Sequence, residues 1–261
     1  YRQSLAELEA GKIPSARFKG IRVPWGIYSH RGGAVFMERI RVPAGIVSAG
    51  QLKALADAAQ KYGSGRLHLT TRQDIQIHGV KIEDTAKLIQ DLQAFELSPR
   101  GGGGNTVRNI TACARAGLCP DEVFDVSRPA VALTEHLIKK EICYLLPRKF
   151  KIGISGCVKD CAGVLVNDLG FLAVRKDKER EKNEGFNEGF RVWAGGGMGA
   201  KSGLGKLLEE FIPTADLVYA AEAAIKVFHK YGDPKNRHHN RLRFLIEKLT
   251  FAEFARLYRA E

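Results

Sequence analysis

The chain carries five cysteines, Cys113, Cys119, Cys143, Cys157 and Cys161. Four of them form two close pairs, Cys113-x5-Cys119 and Cys157-x3-Cys161. Four thiolates can hold a structural zinc ion or an iron–sulfur cluster. Structural zinc favours shorter Cys-x2–4-Cys knuckles, and the gap after Cys113 is longer, yet spacing alone leaves both metals open. Gly117, Gly156 and Gly163 flank the pairs and suit tight backbone turns. The bland alternative is four incidental buried thiols, and two close pairs among five cysteines weigh against it. An odd cysteine count argues against a disulfide framework, as does the lack of an apolar leader core in residues 1–10. Cys143, between Ile142 and Tyr144, reads as a small buried hydrophobe.

Three other constellations could do chemistry. Lys149 and Lys151 stand two apart on a predicted strand over 149–154, so both point to one face and could hold an anion. Arg148 would face the other way. Gly101, Gly102, Gly103 and Gly104 form a run that is either a linker or a backbone that must approach a ligand closely. Gly195-Gly196-Gly197-Met198-Gly199-Ala200-Lys201-Ser202 nearly matches the phosphate-binding G-x-x-x-x-G-K-[ST] loop, with Ala200 in place of the second glycine. That reading requires a strand before the glycines and a helix after them, and it leaves the cysteines unexplained. Arg237-His238-His239-Asn240-Arg241-Leu242-Arg243 is a basic run without interleaved aromatics; a nucleic-acid binder with a structural metal is thus a further alternative, and a solvated helix start the plainer one.

The elements that would position these residues are readable from periodicity. Residues 1–22 are polar and basic and read as an N-terminal arm or short helix over 4–10. Residues 35–42 alternate as a half-buried strand, 49–62 have helical spacing, 66–70 and 75–80 read as strands around a 71–74 turn, and 84–95 as an amphipathic helix. The order β-α-β-β-α is that of a ferredoxin-like half domain, placed at 23–98. Its three clear strands leave an edge that needs a partner. In 99–261 the pattern predicts extended chain over 105–112, helices over 129–140, 206–211, 214–231 and 241–254, and strands over 149–154, 170–174 and 191–194. Residues 175–188 read as a solvated hairpin or loop. The fold class is α+β, a ferredoxin-like half domain followed by an α/β domain.

Composition bounds the function. Of 261 residues, 41 are Lys or Arg and 29 Asp or Glu, a formal net charge of 41 − 29 = +12. Such a balance calls for an anionic partner: nucleic acid, an acidic membrane surface or an anionic ligand. Hydrophobic residues make up 44%, enough for a packed core and too many for a disordered chain. The longest apolar runs, such as 110–114, fall far short of the roughly 20 residues of a membrane helix. No membrane insertion and a cytoplasmic location are expected.

Together the motifs resemble one family. Thr111-Ala112-Cys113-x5-Cys119 with Gly156-Cys157-x3-Cys161 is similar to the cluster motif of the sirohaem-dependent sulfite and nitrite reductases. The likeness extends to Tyr28 with Met37-x-Arg39-Ile40-Arg41-Val42-Pro43, to Leu69-Thr70-Thr71-Arg72-Gln73-Asp74-Ile75-Gln76-Ile77-His78-Gly79, and to Asn105-Thr106-Val107-Arg108-Asn109. Leu146-Pro147-Arg148-Lys149-Phe150-Lys151, the glycines at 195–199 and the segment 232–246 complete it.

The resemblance implies a domain at 99–261 that binds sirohaem and a [4Fe–4S] cluster. Its ligands would be Cys113, Cys119, Cys157 and Cys161, with Cys161 also bridging to the sirohaem iron. Arg72, Arg108, Lys149 and Lys151 would bind the oxyanion and feed it protons. Gln73, His78, Asn105, Thr106, Thr111, Arg148, Gly195, Gly196 and Gly197 would line the cofactor pocket. His78 is a candidate iron ligand, but a hydrogen-bonded strand histidine is the preferred reading, since the family uses cysteine. The implied reaction is the six-electron reduction of sulfite to sulfide or of nitrite to ammonia, and the Arg/Lys quartet favours sulfite. Electrons would come from a separate ferredoxin or flavoprotein.

In the familiar enzymes the unit occurs twice and divides the cations and cysteines between its copies. This chain carries both sets in one copy, which implies a homodimer or a heterodimer with a related subunit. No nucleic acid is expected as a partner. A non-catalytic sirohaem-binding paralogue is the remaining alternative, and the intact cation set speaks against it.

Overall fold

A computed structural model of the chain describes residues 1–176, 187–199, 201–236 and 239–261. Most of the 175–188 hairpin expectation, together with Ala200, Arg237 and His238, lies outside the described residues. The chain divides into two compact units, Tyr1–Asn109 and Ile110–Glu261.

The first unit opens with helices α1 (Arg2–Glu9) and α2 (Ser15–Arg22). They bury Leu5, Ile13 and Phe18 in a small cluster against which Ile82 and Ala86 pack. Residues 1–22 are therefore part of this unit rather than an arm ahead of it. Strands β1 (Ile27–Ser29), β2 (Phe36–Ile40), β3 (Leu67–Leu69) and β4 (Ile75–Val80) form an antiparallel sheet in the order β1-β2-β4-β3. The sheet has four strands where periodicity revealed three; the added one is β1, three residues long.

Helix α3 (Ala49–Tyr62) starts at a capping box: Gln51 N–H donates to Ser48 Oγ, and Ser48 N–H donates to Gln51 Oε1. It and α4 (Thr85–Gln93) cover one face of the sheet, burying Ile40, Leu55, Ala59, Ile75, Ile77, Leu88 and Leu92.

The compact unit that ends at Asn109 includes the four glycines after Arg100. They are neither a linker nor an open cradle. A Cβ on Gly103 would lie 2.1 Å from the Val23 carbonyl oxygen, and one on Gly102 would lie 2.8 Å from that of Arg39. The close approach is to the chain's own backbone.

The second unit has a mixed five-stranded sheet in the order β5-β6-β7-β8-β9. Strands β5 (Thr111–Ala112), β6 (Ile152–Ser155) and β7 (Leu169–Arg175) run parallel; β8 (Glu188–Ala194) and β9 (Lys206–Pro213) continue it antiparallel. Its helices are α5 (Ser127–Leu137), α6 (Leu217–Tyr231), α7 (Leu242–Leu249) and α8 (Phe251–Ala260). Phe150, Ile152, Phe171, Phe190, Val192 and Phe228 are fully buried.

Three expectations are corrected here. Residues 206–211 are strand, not helix: their apolar spacing fits both, and the open edge of β8 supplies the ladder that decides it. Residues 105–109 are irregular, and only Thr111–Ala112 joins a sheet. The helix expected over 241–254 breaks at Thr250, where φ is 77° and the side chain accepts the Glu253 N–H to cap α8. Among the described residues no helix is long and apolar enough to cross a membrane.

Candidate active site and metal centre

In the first unit the candidate anion-binding residues sit on one face of the sheet and the loops beside it. Arg72 stands in the β3–β4 turn. Thr70 Oγ1 accepts the N–H groups of Arg72 (3.3 Å) and Asp74 (3.0 Å), and Gln73 takes a φ of 57°. The Asn109 amide nitrogen lies 2.7 Å from the Val42 oxygen, 3.1 Å from that of Arg72 and 3.2 Å from that of Gln73, so it staples the turn. Arg108 donates to the Gly102 (3.2 Å) and Gly104 (3.0 Å) carbonyls, and its burial lowers its pKa. Arg39 and Arg41 join them: Arg39 donates to Gly102, and Arg41 to Val107, Arg100 and Arg108 carbonyls.

Thr106 is buried with its hydroxyl on the Gly101 and Gly103 carbonyls, whereas Asn105 is exposed. His78 is a hydrogen-bonded strand histidine, with Nδ1 3.3 Å from His30 Nε2 and Nε2 against Gln76. Among the described residues no three His, Cys, Asp or Glu side chains converge on a point suited to a single metal ion.

In the second unit, neighbouring parallel strands deliver both cysteine loops. Thr111 pairs with Gly153 and Ala112 with Ile154, so Cys113 leaves β5 beside the residues where β6 runs towards Cys157. The Cys113 N–H donates to the Ile154 carbonyl (3.1 Å) and the Val123 N–H to that of Gly156 (2.8 Å). Lys159 and Asp121 form an ion pair across the two loops. Cys113, Cys119 and Cys157 are buried and Cys161 is exposed. Burial pushes the Cys113 thiol up, and the neighbouring thiols of Cys161 and Cys157 add to the shift.

The loop of the second pair is ordered by Asp160. It takes a φ of 48°, and its Oδ1 accepts from Ser155 Oγ–H and from Val164 N–H, both at 2.7 Å. Cys143 stands in a separate 3-10 turn, Glu141–Tyr144, and is buried as expected.

Lys149 and Lys151 precede β6, which begins at Ile152, so they are not strand residues as expected. They and Arg148 are half-buried, and the two lysines flank fully buried Phe150, so alternation survives without a ladder. Two buried groups hold this lead-in. The Asn240 amide donates to the Pro147 carbonyl (3.2 Å), and Asp168 accepts the Lys151 N–H (2.8 Å) while pairing with both Nε (3.0 Å) and Nη2 (2.6 Å) of Arg241. Thr111 is buried in β5 with its hydroxyl on the Ile152 carbonyl (3.4 Å).

The glycines at 195–197 serve packing. A Cβ on Gly196 would lie 2.2 Å from the Leu165 carbonyl oxygen, one on Gly195 2.8 Å from the Ile246 side chain, and one on Gly197 2.9 Å from that of Arg243. Gly197 and Gly203 exchange backbone bonds (2.9 and 3.0 Å) that lead into β9, so no helix N-terminus follows. The phosphate-loop reading fails on that point, since its cradle depends on a helix start.

Sequence reasoning assigned no role to Asp160, Asp168, Asn240 or Arg241. The last two lie in the family-like C-terminal segment. Asp160 carried one local signal, its place inside the four-residue step between two cysteines.

Two family models match the chain. The nitrite and sulphite reductase 4Fe-4S domain matches residues 103–261, and the nitrite/sulfite reductase ferredoxin-like half domain matches residues 28–95. The chain belongs to the nitrite and sulfite reductase family.

It is 32% identical over 238 residues to an assimilatory ferredoxin-dependent nitrite reductase of Haloferax mediterranei, covering 85% of this chain and 40% of that protein. It is 29% identical to a sulfite reductase [NADPH] hemoprotein beta-component of Acidithiobacillus ferrooxidans, covering 84% and 42%. Among solved structures, the Mycobacterium tuberculosis NirA protein superposes with a TM-score of 0.88 at 24% identity, covering 99% of this chain and 50% of that one. Dissimilatory sulfite reductase I gives 0.75 at 15% identity, covering 87% and 70%; these two likenesses speak to fold. The chain thus spans about two fifths of the length of the curated relatives it matches.

The family's cofactors are a [4Fe–4S] cluster and sirohaem. The residues present fit them. Four thiols in two loops at the ends of neighbouring strands are the donor set of a cluster. The buried arginines of the first unit suit anionic ligands.

Proposed function

We propose that this chain is a unit of a sirohaem- and [4Fe–4S]-dependent reductase that converts sulfite to sulfide or nitrite to ammonia. The observation that carries the reading is the pair of cysteine loops delivered by β5 and β6 inside the region that matches the family's 4Fe-4S domain. Cys113, Cys119, Cys157 and Cys161 would hold the cluster, and Cys161 is the thiol that the resemblance would assign to the sirohaem iron as well. When bound, the two groups supply the electrons that no side chain can.

The chain's own residues bind the oxyanion and move protons. Arg72 and Arg108 offer fixed guanidinium donors that keep their charge and orient the anion. Lys149 and Lys151 carry protons on Nζ, donate them as oxygen departs as water, and regain them from solvent. Gln73, His78, Arg148 and the glycine-rich segments shape the cofactor pocket through side-chain and backbone donors. A separate donor, a ferredoxin or flavoprotein, delivers the electrons, and the net charge of +12 suits an acidic one. The unit works as a homodimer or beside a related subunit.

The test is the visible spectrum of the purified protein with iron and acid-labile sulfide analysis, followed by reduction assays on sulfite and on nitrite. Sirohaem absorption with about four irons per chain beyond the haem iron is expected. A colourless protein with one bound zinc would overturn the reading. Changing Cys161→Ser should abolish electronic coupling between cluster and haem while leaving Cys113, Cys119 and Cys157 in place.

A further inference from the structure

Asp74, Gln76 and His78 alternate along β4 and its entry, so their side chains share one face of the sheet. They form a polar ladder. His30 Nε2 lies 3.3 Å from His78 Nδ1. In the amide orientation that satisfies both its neighbours, Gln76 donates to His78 Nε2 (3.1 Å) and accepts from Arg39 Nη2 (2.8 Å) and Nε (3.1 Å). Arg39 Nε stands 4.0 Å from Asp74 Oδ2.

At the inner end, Asp74 is only 4% exposed, and its Oδ1 has no hydrogen-bond partner among the described residues. Four guanidinium groups favour its ionised form: Arg39 and Arg41 from the β2 strand and its exit, Arg72 from its own turn, and Arg108 from the 105–109 segment. Further along β4, His78 is held below its ordinary pKa, first by burial and then by His30, His68 and Arg39.

Such a carboxyl is caught between two effects. Burial favours its neutral form and the arginines favour its ionised form, and burial prevails, raising the pKa from 3.8 to about 6. The cluster therefore presents four positive charges when Asp74 is protonated, and 4 − 1 = 3 when it is ionised.

We propose that Asp74 is a positioning residue that sets the charge of the arginine cluster, so that the oxyanion binds more tightly to the protonated form than to the ionised form. The inference rests on the assignment of Arg72 and Arg108 as oxyanion holders.

The test is nitrite binding to the holoenzyme between pH 5 and 8, read as the dissociation constant from the change in sirohaem absorption. Nitrite is the probe because it protonates well below this range. The native protein should lose about tenfold in affinity as pH rises through about 6, a size set by adding one charge to a partly buried cluster. Asp74→Asn should remove that step and hold the tight-binding value throughout. A native profile without the step, or an Asn variant that keeps it, overturns the proposal.

A second reading needs no substitution and no activity. In protein labelled with carboxyl-13C aspartate, one resonance should titrate at about pH 6, and its absence overturns the proposal even if the Asn variant does not fold. The two failures are distinguishable. Without sirohaem absorption the reductase reading falls; with the absorption present and the step missing, only the Asp74 assignment falls.

Discussion

Asp160 illustrates how much of the metal centre depends on a side chain that is not a ligand. Its positive φ turns the chain between Cys157 and Cys161, and its carboxylate takes the Ser155 hydroxyl and the Val164 N–H, while Ser155 Oγ accepts the Ala162 N–H (3.2 Å). Asp160→Ala removes these acceptors and leaves a β-carbon in a left-handed conformation, at a cost of about 1–3 kcal/mol. Iron per chain after dialysis against a chelator should fall, whereas Asp160→Asn, which still accepts through Oδ1 and tolerates positive φ, should retain most of it. Equal iron retention in the Ala and Asn variants would remove this role. The cysteines themselves were legible because paired spacing is a signal. Asp160 was not, because any short polar residue could occupy that place.

At the scale of elements, the lead-in to β6 is held from a distance by Asp168 and Arg241. Asp168 is fully buried and bonds both the Lys151 backbone and the Arg241 fork. Arg241→Ala leaves a buried carboxylate with its charge uncompensated, and the urea midpoint should drop by the equivalent of about 3–5 kcal/mol. Arg241→Lys should recover only part of that, since a single ammonium cannot reproduce the two-pronged contact. Periodicity located α3 to the residue and β4 likewise, where alternation and capping agree. It failed at β9, where Leu207, Leu208, Phe211 and Ile212 satisfy a helical period as well as a buried strand. Only pairing with β8 separates the two.

For the molecule as a whole, stability against pH has an identifiable internal contributor in Glu38. It is fully buried on β2, neither carboxylate oxygen has a hydrogen-bond partner among the described residues, and burial raises its pKa well above 4.5. A carboxyl raised in the folded state stabilises below its unfolded pKa and loses that contribution as pH rises through the folded value. Glu38→Met, of similar shape and without the ionisable group, should therefore be more stable than the native chain at pH 8 by about 1–3 kcal/mol. The gap in Tm should narrow towards pH 5. A gap that does not change with pH would show that burial does not raise the Glu38 pKa. The net charge of +12 is a property of the same scale; some of its cations are drawn inward, buried Arg22 and Arg41 among them.

The sequence by itself determined the donor chemistry, the family and the main elements, because cysteine spacing, the Thr-Thr-Arg-Gln segment and the long amphipathic helices are local signals. Tertiary structure alone decided what depends on residues far apart in the chain. It put Cys113 and Cys157 at the ends of paired strands, packed both glycine runs against the chain's own backbone and side chains rather than around phosphate, and turned a helix-like segment into β9. It also buried Asp74 where four arginines bear on its charge. Burial and pairing are sums over many distant groups, and no local spacing records them.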